Sequence, residues 1–452
     1  MNKITPLTAN FFIIVLILVQ GSSSSPASVC MTLGDALQKA QTVDLQVVMA
    51  DARLEQAIAR IAEARSDLLP HLDGSVDGGR QTVDLRSEGI ILPIPGLSTR
   101  VGPFNSFDAR ARLTMSLFDP SAFERFNAAK KGEDLSEAQL EKTKEDELAL
   151  VADLFIDAQR EEQTVKLIKT VLDRDQMTYQ LSQDNLDQGT GTEIDLNKLK
   201  SNLDQTKYLY HQARFEAKEA LLDLEAALQM PLGEPIIFLD DKDLMKIMEK
   251  NTDPNFDHAT NADMVVATSQ LESNKANEKA AYADLLPKIT GNANYGRSGE
   301  SPSNGSNVYD VGVAVSVPIW EGGQQEAKIR QEKGAVKESQ ANLKDTVEQE
   351  QVNIAKARAA IVEAEYLKES KAQERATAQK SLILAFHAQQ IGTGSVLELM
   401  QAKADLAQAE DEYNEAQATW VMAHVDLYHA QGRLRKLIDE DVSLNGASSQ
   451  AS

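Results

Sequence analysis

The sequence predicts a mainly α-helical protein with a β part, assembled from two copies of one helix-strand-strand-helix-helix unit. Three observations predict it. Short motifs recur in the same order about two hundred residues apart. Each copy holds an 11-residue run in which apolar and polar residues alternate strictly. Each copy also holds a helical stretch of more than 60 residues that turns back at a Gly-Thr-Gly.

The duplication organises the chain. Asp67-Leu68-Leu69-Pro70 recurs as Asp284-Leu285-Leu286-Pro287, 217 residues later. Leu117-Phe118-Asp119 recurs as Ile319-Trp320-Glu321, 202 residues later, and Gly189-Thr190-Gly191-Thr192-Glu193-Ile194-Asp195 as Gly392-Thr393-Gly394-Ser395-Val396-Leu397-Glu398, 203 residues later. The extra residues of the first copy fall around Leu92-Pro93-Ile94-Pro95, where a surface loop would differ in length. Solenoid units run only roughly 20 to 50 residues, so two domain-sized halves are the natural reading. The halves are set at 31–230 and 261–436. A linker at 231–260, broken by Pro231, Gly233, Pro235 and Pro254, lies between them, and 437–452 is read as a disordered tail.

Each half opens with a helix, over 34–67 and 262–285. Pro70 and Pro287 end them, because a residue before proline is pushed out of the α region. Two strands follow, at about 71–80 and 106–118 in the first half and about 288–297 and 308–320 in the second. Phe107, Ala109, Ala111, Leu113, Met115 and Leu117 alternate with Asp108, Arg110, Arg112, Thr114 and Ser116. In the second half Tyr309, Val311, Val313, Val315, Val317 and Ile319 alternate with Asp310, Gly312, Ala314, Ser316 and Pro318. Such alternation means a strand with one apolar and one polar face. A sandwich strand typically has about 5–6 residues, whereas a membrane-crossing strand needs about 9–11. Four strands cannot close a barrel, since the smallest membrane barrels have about eight, and an open sheet edge is not tolerated in lipid. Transmembrane strands here must therefore be shared between chains, and three chains would supply twelve.

The long helices run from about 121 to 187 and from 324 to 390, each ~100 Å at the α-helical rise. Helices over 192–229 and 395–435 return. Leu196, Leu199, Leu203, Thr206, Tyr210, Ala213, Ala217, Ala220 and Leu224 step by three and four, and Leu399, Ala402, Leu406, Ala409, Tyr413, Ala416 and Trp420 keep the phase. A sustained period near 3.5 means coiled-coil packing. The return helices are shorter than their partners, and the opening helix of one half has the length to stack on the return helix of the other.

Composition removes other classes. With 69 acidic against 46 basic residues the net charge is -23, the opposite of a nucleic-acid-binding footprint. One cysteine, Cys30, excludes an intrachain disulfide and a cysteine-cluster metal site. Six scattered histidines and the lack of a Lys-bearing phosphate loop give no catalytic constellation and no cofactor motif. At the start, Lys3 precedes an apolar run from Phe11 to Val19, about 14 Å as helix and too short to span a bilayer. Small residues follow, with Ser25 and Ala27 placed for cleavage, so 1–27 reads as a secretory signal.

The Leu-Leu-Pro pair, Leu-Phe-Asp and Ile-Trp-Glu-Gly-Gly at the strand-to-helix joints, and the doubled element order resemble the TolC outer-membrane factor family over about 31–436. The resemblance implies a homotrimer with a 12-stranded barrel in outer-membrane lipid and a coiled-coil α-barrel through the periplasm. It implies a periplasmic adaptor as partner, meeting the tip turns, and an inner-membrane pump behind it. Ile391-Gly392-Thr393 resembles the family's tip, and Gly189-Thr190-Gly191 is the first-half counterpart, preceded by Gln188 where the family has an aliphatic residue. The family rings its closed pore with acids just inside the tip. Glu398 matches one and Asp195 is its counterpart, while Gln401 stands at a second acidic position. Both carboxylates equally suit helix caps, in Thr192-x-x-Asp195 and Ser395-x-x-Glu398. Some relatives of this kind are lipoproteins, which makes Cys30 an alternative acylated N-terminus. Ala27-Ser28-Val29 before it lacks Leu at -3 and carries a bulky Val at -1. The competing class is a periplasmic coiled-coil scaffold, such as the adaptor itself, without a membrane barrel. Whether drugs, metals or proteins are exported is not encoded in these motifs.

Overall fold

The structure is a computed structural model and describes residues 29–86, 89, 99–239, 242–250, 261–391 and 393–438. The signal segment, the Leu92–Pro95 loop, Gly392 and most of the 437–452 tail lie outside the described residues.

In chain order the elements are β1 (Val29–Met31), α1 (Leu33–Val43), α2 (Leu45–Ser66), β2 (His71–Asp84), β3 (Arg100–Phe118), α3 (Pro120–Asp187) and α4 (Glu193–Ala227). They continue with β4 (Ile236–Phe238), α5 (Lys242–Lys250), α6 (Ala262–Ala283), β5 (Lys288–Gly299), β6 (Gly305–Ser316), α7 (Gln324–Gln390) and α8 (Val396–Ala430).

Four strands form one antiparallel sheet in the order β2-β3-β5-β6. Its register sorts the side chains by face. Phe107, Ala109, Ala111 and Leu113 of β3 stand opposite Gly78, Val76, Gly74 and Leu72 of β2, and Ala111 and Leu113 also oppose Tyr295 and Ala293 of β5. Those two in turn oppose Tyr309 and Val311 of β6. Directly opposed residues share a face, so one face is apolar across all four strands. The other face carries Asp73, Asp77, Asp108, Arg110, Arg112, Asn292, Asn294 and Asp310. There Arg110 holds Asp108 through two bonds of 2.6 Å, and Asn292 and Asn294 donate to Asp310 at 3.1 and 3.3 Å.

The helices stand side by side in one layer. α3 packs against α2 and α4, and also against α6 and α8, while α7 packs against α6 and α8. Asn261, which caps α6 by accepting from Asp263 N–H, donates from Nδ2 to the carbonyl of Ala430 at 2.8 Å. The opening helix of the second half thus stacks on the return helix of its own half. This corrects the expected cross-half stacking: the Asn261 cap joins the start of α6 to the end of α8.

Five further expectations need correction. The helix over 34–67 is two helices. Asp44 takes an extended conformation and its carboxylate accepts from Gln46 and Val47 N–H, starting α2 afresh. The 231–260 linker is partly regular: β4 pairs in parallel with β1, Val29 against Ile236, and α5 follows. The return helix expected over 395–435 ends at Ala430, where Gly432 adopts φ +61°. A short helical turn over 434–438 follows and buries Leu434, Leu437 and Ile438, so the chain is ordered into the first residues of the expected tail. Finally, β6 stops at Ser316 because Pro318 donates no ladder hydrogen bond.

The main core sits at the level of these short elements. Leu148, Val151, Ala152 and Phe155 on α3 meet Leu224 of α4 and Leu228 just past its end, Trp420, Val425 and Tyr428 of α8, and Met31, Leu37 and Leu244 from a belt of short elements, β1, α1 and α5. Phe155 packs edge-on to Phe238 at 5.1 Å. Glu145, buried on α3, accepts from the N–H groups of Leu434 and Arg435 at 3.1 and 3.3 Å and so holds the 434–438 turn against the helices. No helix among the described residues is long and apolar enough to cross a membrane.

Candidate functional site

Three features of the fold lie at its surface: the tip turns, a groove beside them, and the sheet. The two tip turns are copies of each other. After α3, Gly189 adopts φ +76°, Thr190 N–H and Oγ1 both bond to Asn185 O at 2.9 and 3.0 Å, and Gly191 N–H reaches the same carbonyl. After α7, Thr393 N–H and Oγ1 bond to Ala388 O at 2.9 and 3.1 Å, and Gly394 N–H joins them. The threonine hydroxyl and the following glycine amide together satisfy a helix-end carbonyl. A Cβ on Gly191 or Gly394 would lie 2.9 or 2.8 Å from backbone nitrogen, so the second glycine of each turn is required by close approach. Ile391, at the end of α7, is 74% exposed.

Asp195 and Glu398 sit one turn into α4 and α8. Thr192 Oγ1 accepts from Asp195 N–H at 3.2 Å and donates to its carboxylate at 2.8 Å. Glu398 accepts from Ser395 N–H at 3.2 Å, which completes a capping box. Each acid is therefore bound into the cap of its own hairpin. Cys30 is exposed at the start of β1.

Sequence reasoning missed the groove next to the tips. Its cavity of about 640 Å³ is lined by Met177, Thr178 and Leu181 of α3, Ile383 and Phe386 of α7, and Lys403 of α8, among others. Burial pushes the Lys403 ammonium below the ordinary lysine value; Asp175 opposes this and Arg174 adds to it. Its Nζ donates to Thr178 Oγ1 at 2.5 Å. The signal was present in the apolar residues of the last turns of α3 and α7, but periodicity alone does not tell a packed seam from an open one.

The sheet is the decisive feature. Tyr309, Val311, Val313 and Val315 of β6 are 65–80% exposed, and Leu72 and Val76 of β2 are each 74% exposed. A sheet with one polar face and one exposed apolar face is built to stand between lipid and a watery lumen. Sequence comparison matches the outer membrane efflux protein family over residues 36–229 and 258–433. The chain belongs to that family. As an outer membrane efflux protein its place is the outer membrane, reaching into the periplasm. Among the relatives it resembles, the alkaline protease secretion protein AprF of Pseudomonas aeruginosa is 24% identical over 418 residues, covering 86% of this chain and 82% of AprF. The pyoverdine export outer membrane protein OpmQ of Pseudomonas putida is 22% identical over 404 residues, covering 88% and 85%. Among solved structures, the Campylobacter jejuni CmeC outer membrane channel superposes with a TM-score of 0.75 at 17% identity, covering 96% of this chain and 94% of CmeC, and shares its fold.

Proposed function

We propose that three copies of this chain close into one export conduit, a 12-stranded barrel in the outer membrane continuous with an α-helical tunnel through the periplasm. The observation that carries this is the sheet. It has free edges at β2 and β6 and one apolar face that a water-soluble scaffold would leave in water. Two copies would make eight strands, a barrel whose interior its own side chains fill; three leave a lumen. Each copy likewise adds its layer of helices to a tube.

The tip turns and the groove beside them receive a periplasmic adaptor, and an inner-membrane pump drives transport through it. This reading takes Gly189, Thr190, Gly191, Ile391, Gly392 and Thr393 as the docking tips. It takes Asp195 and Glu398 as acids that line the narrow end as well as cap their helices. The relatives are named for protease secretion and for pyoverdine export, which fits a conduit whose cargo is chosen by the pump.

Chemical cross-linking in mild detergent tests the assembly and is expected to stop at three subunits. A membrane-inserted monomer, or a ladder ending at two, would overturn it. For docking, Ile391→Asp leaves both turn-closing hydrogen bonds in place. It is expected to lower export at least roughly tenfold, about 1.4 kcal/mol of docking free energy, with trimers still in the outer membrane. Export at the parental rate would count against docking there.

A further inference from the structure

The apolar face of the sheet carries two charged residues between the strand feet, at His71 and Lys288, and the level of Gln81. They are Arg80 on β2 and Arg297 on β5. The other face holds Asp73, Asp77, Asp108 and Asp310 besides its own arginines. Both charges on the apolar face are thus cations, and no acid shares that stretch of the face with them. Each stands directly opposite an asparagine, Arg80 opposite Asn105 and Arg297 opposite Asn307. The two pairs are counterparts in the internal repeat, 217 residues apart for the arginines and 202 for the asparagines. The copies have diverged at nearby positions of the same face, with Ala293 for Val76 and Tyr295 for Gly78, yet both hold the Arg–Asn pair.

Their height is set by the strands. Each arginine lies nine residues past the first of its strand, His71 or Lys288. At ~3.4 Å per residue and a tilt near 40°, that is roughly 23 Å above the feet, the upper edge of an apolar band about 25 Å tall. One step below the pairs on the same face are Phe107, opposite Gly78, and Tyr309, opposite Tyr295. Barrels carry such aromatic residues where hydrocarbon gives way to headgroups. The Arg297 side chain runs on from there towards the hairpin end. Its Nε donates to Gly305 O at 2.9 Å, and a Cβ on Gly305 would lie 2.9 Å from Arg297 Cγ. Gly305 therefore leaves the path by which this guanidinium leaves the apolar band.

We propose that Arg80 and Arg297, each with the asparagine across from it, bind phosphate groups of an anionic lipid headgroup in the outer leaflet. The proposal rests on the barrel reading and adds the chemistry of the lipid at its outer rim. The strand feet lead into helices that reach the periplasm, so the hairpin ends face outwards. A guanidinium fork matches two phosphate oxygens at once, and an asparagine amide adds a donor beside it. A zwitterionic headgroup brings its own cation to the same place and is the poorer ligand. Three copies carry six such pairs around the barrel.

Full-chain trimers in nanodiscs of phosphatidylcholine with a minor share of diphosphoryl lipid A test this, with the lipids retained per trimer read by native mass spectrometry. The parent is expected to retain lipid A in preference to phosphatidylcholine. Arg80→Gln with Arg297→Gln is expected to lower the retained lipid A at least roughly tenfold. Lysine at both positions keeps the charge without the fork and is expected to fall between. Arg112→Gln removes one cation from the lumen face and is expected to leave retention unchanged. If the double glutamine variant forms no trimers, each single variant is read on its own trimers and is expected to retain less than the parent. Unchanged retention without the two arginines overturns the proposal, as does an equal fall in Arg112→Gln. Displacement of the lipid by excess inorganic phosphate assigns the site to a free anion and overturns it too. Each of these outcomes leaves the barrel reading standing, whereas a parent that gives no membrane-inserted trimers removes that reading first.

Discussion

Asp195 and Glu398 cap the first turns of α4 and α8, and in the proposed trimer they also line the narrow end. Glu398→Gln keeps an acceptor for Ser395 N–H, and Asp195→Asn keeps a partner for Thr192. The double amide variant is therefore expected to lose no more than about 1 kcal/mol of stability. Removing up to six like charges from a constriction lowers the local potential, so cation selectivity in planar bilayers is expected to fall. Unchanged selectivity with a markedly lower melting temperature would make these residues caps only. Beside the main core, burial raises the Glu145 carboxyl above the usual glutamate value, against the pull of the Arg435 and Leu434 amides. An acid whose folded value is raised favours folding when protonated. Its stabilising contribution is full below the unfolded value and fades as pH rises through the folded one. Thermal melts of the parent should lose stability across that window, and Glu145→Gln should flatten the slope. Glu145→Ala strands the buried N–H of Leu434 and the part-buried N–H of Arg435 and is expected to cost about 1–3 kcal/mol at neutral pH. If its melting temperature matches the parent, the 434–438 turn is not held by this carboxylate.

Among the elements, β6 is the most open to test because the apolar side chains from Tyr309 to Val315 are 65–80% exposed. Val313→Arg is expected to destabilise the inserted barrel by about 2–4 kcal/mol at mid-membrane. The readout is the detergent-resistant trimer fraction in outer membranes, and an undiminished fraction would place Val313 away from lipid. The strands β3 and β6 were legible because alternation over eleven residues leaves no other reading. β2 was harder to read: His71–Asp84 holds three apolar residues, Leu72, Val76 and Val83, among four charged residues and three glycines, and the strand runs past the expected end at 80. The break at Asp44 was hidden because Val43 and Leu45 continue the apolar run on both sides, and a cap inside such a run looks like a surface acid. At the tips, the two hairpins repeat each other in their turns yet differ inside. Asp175 is buried in the first hairpin with bonds from Asn202 and Thr206 at 2.9 and 2.8 Å, where the second has Ala378 and Ala409 at the repeat positions. The heptad pattern showed that both seams pack but not that one is polar.

At the scale of the molecule, the long helices and their reversals were readable because nothing but Gly-Thr-Gly interrupts sixty-odd residues of helical pattern. The belt was not, since β1, β4, α5 and the 434–438 turn are short and gain their order from the core they cover. Where α6 stacks on α8, one side chain, Asn261, joins a helix start to a helix end 169 residues away. Asn261→Ala removes that bond and the cap together and is expected to cost about 1–2 kcal/mol. Hydrogen exchange should then speed up in the first turn of α6 and the last of α8, while the tips stay protected as before. Equal exchange everywhere would show that packing against α3 alone fixes the stack.

The free edges at β2 and β6 have a kinetic consequence. An isolated copy presents two unpaired strands and a wide apolar face, the features that draw chains into aggregates. No single chain can remove them by folding further. In the proposed trimer, closure needs two more copies and a bilayer at the same time. The rate of reaching the native state therefore depends on protein concentration and on lipid surface, and a slow step in refolding from denaturant into vesicles should accelerate with both.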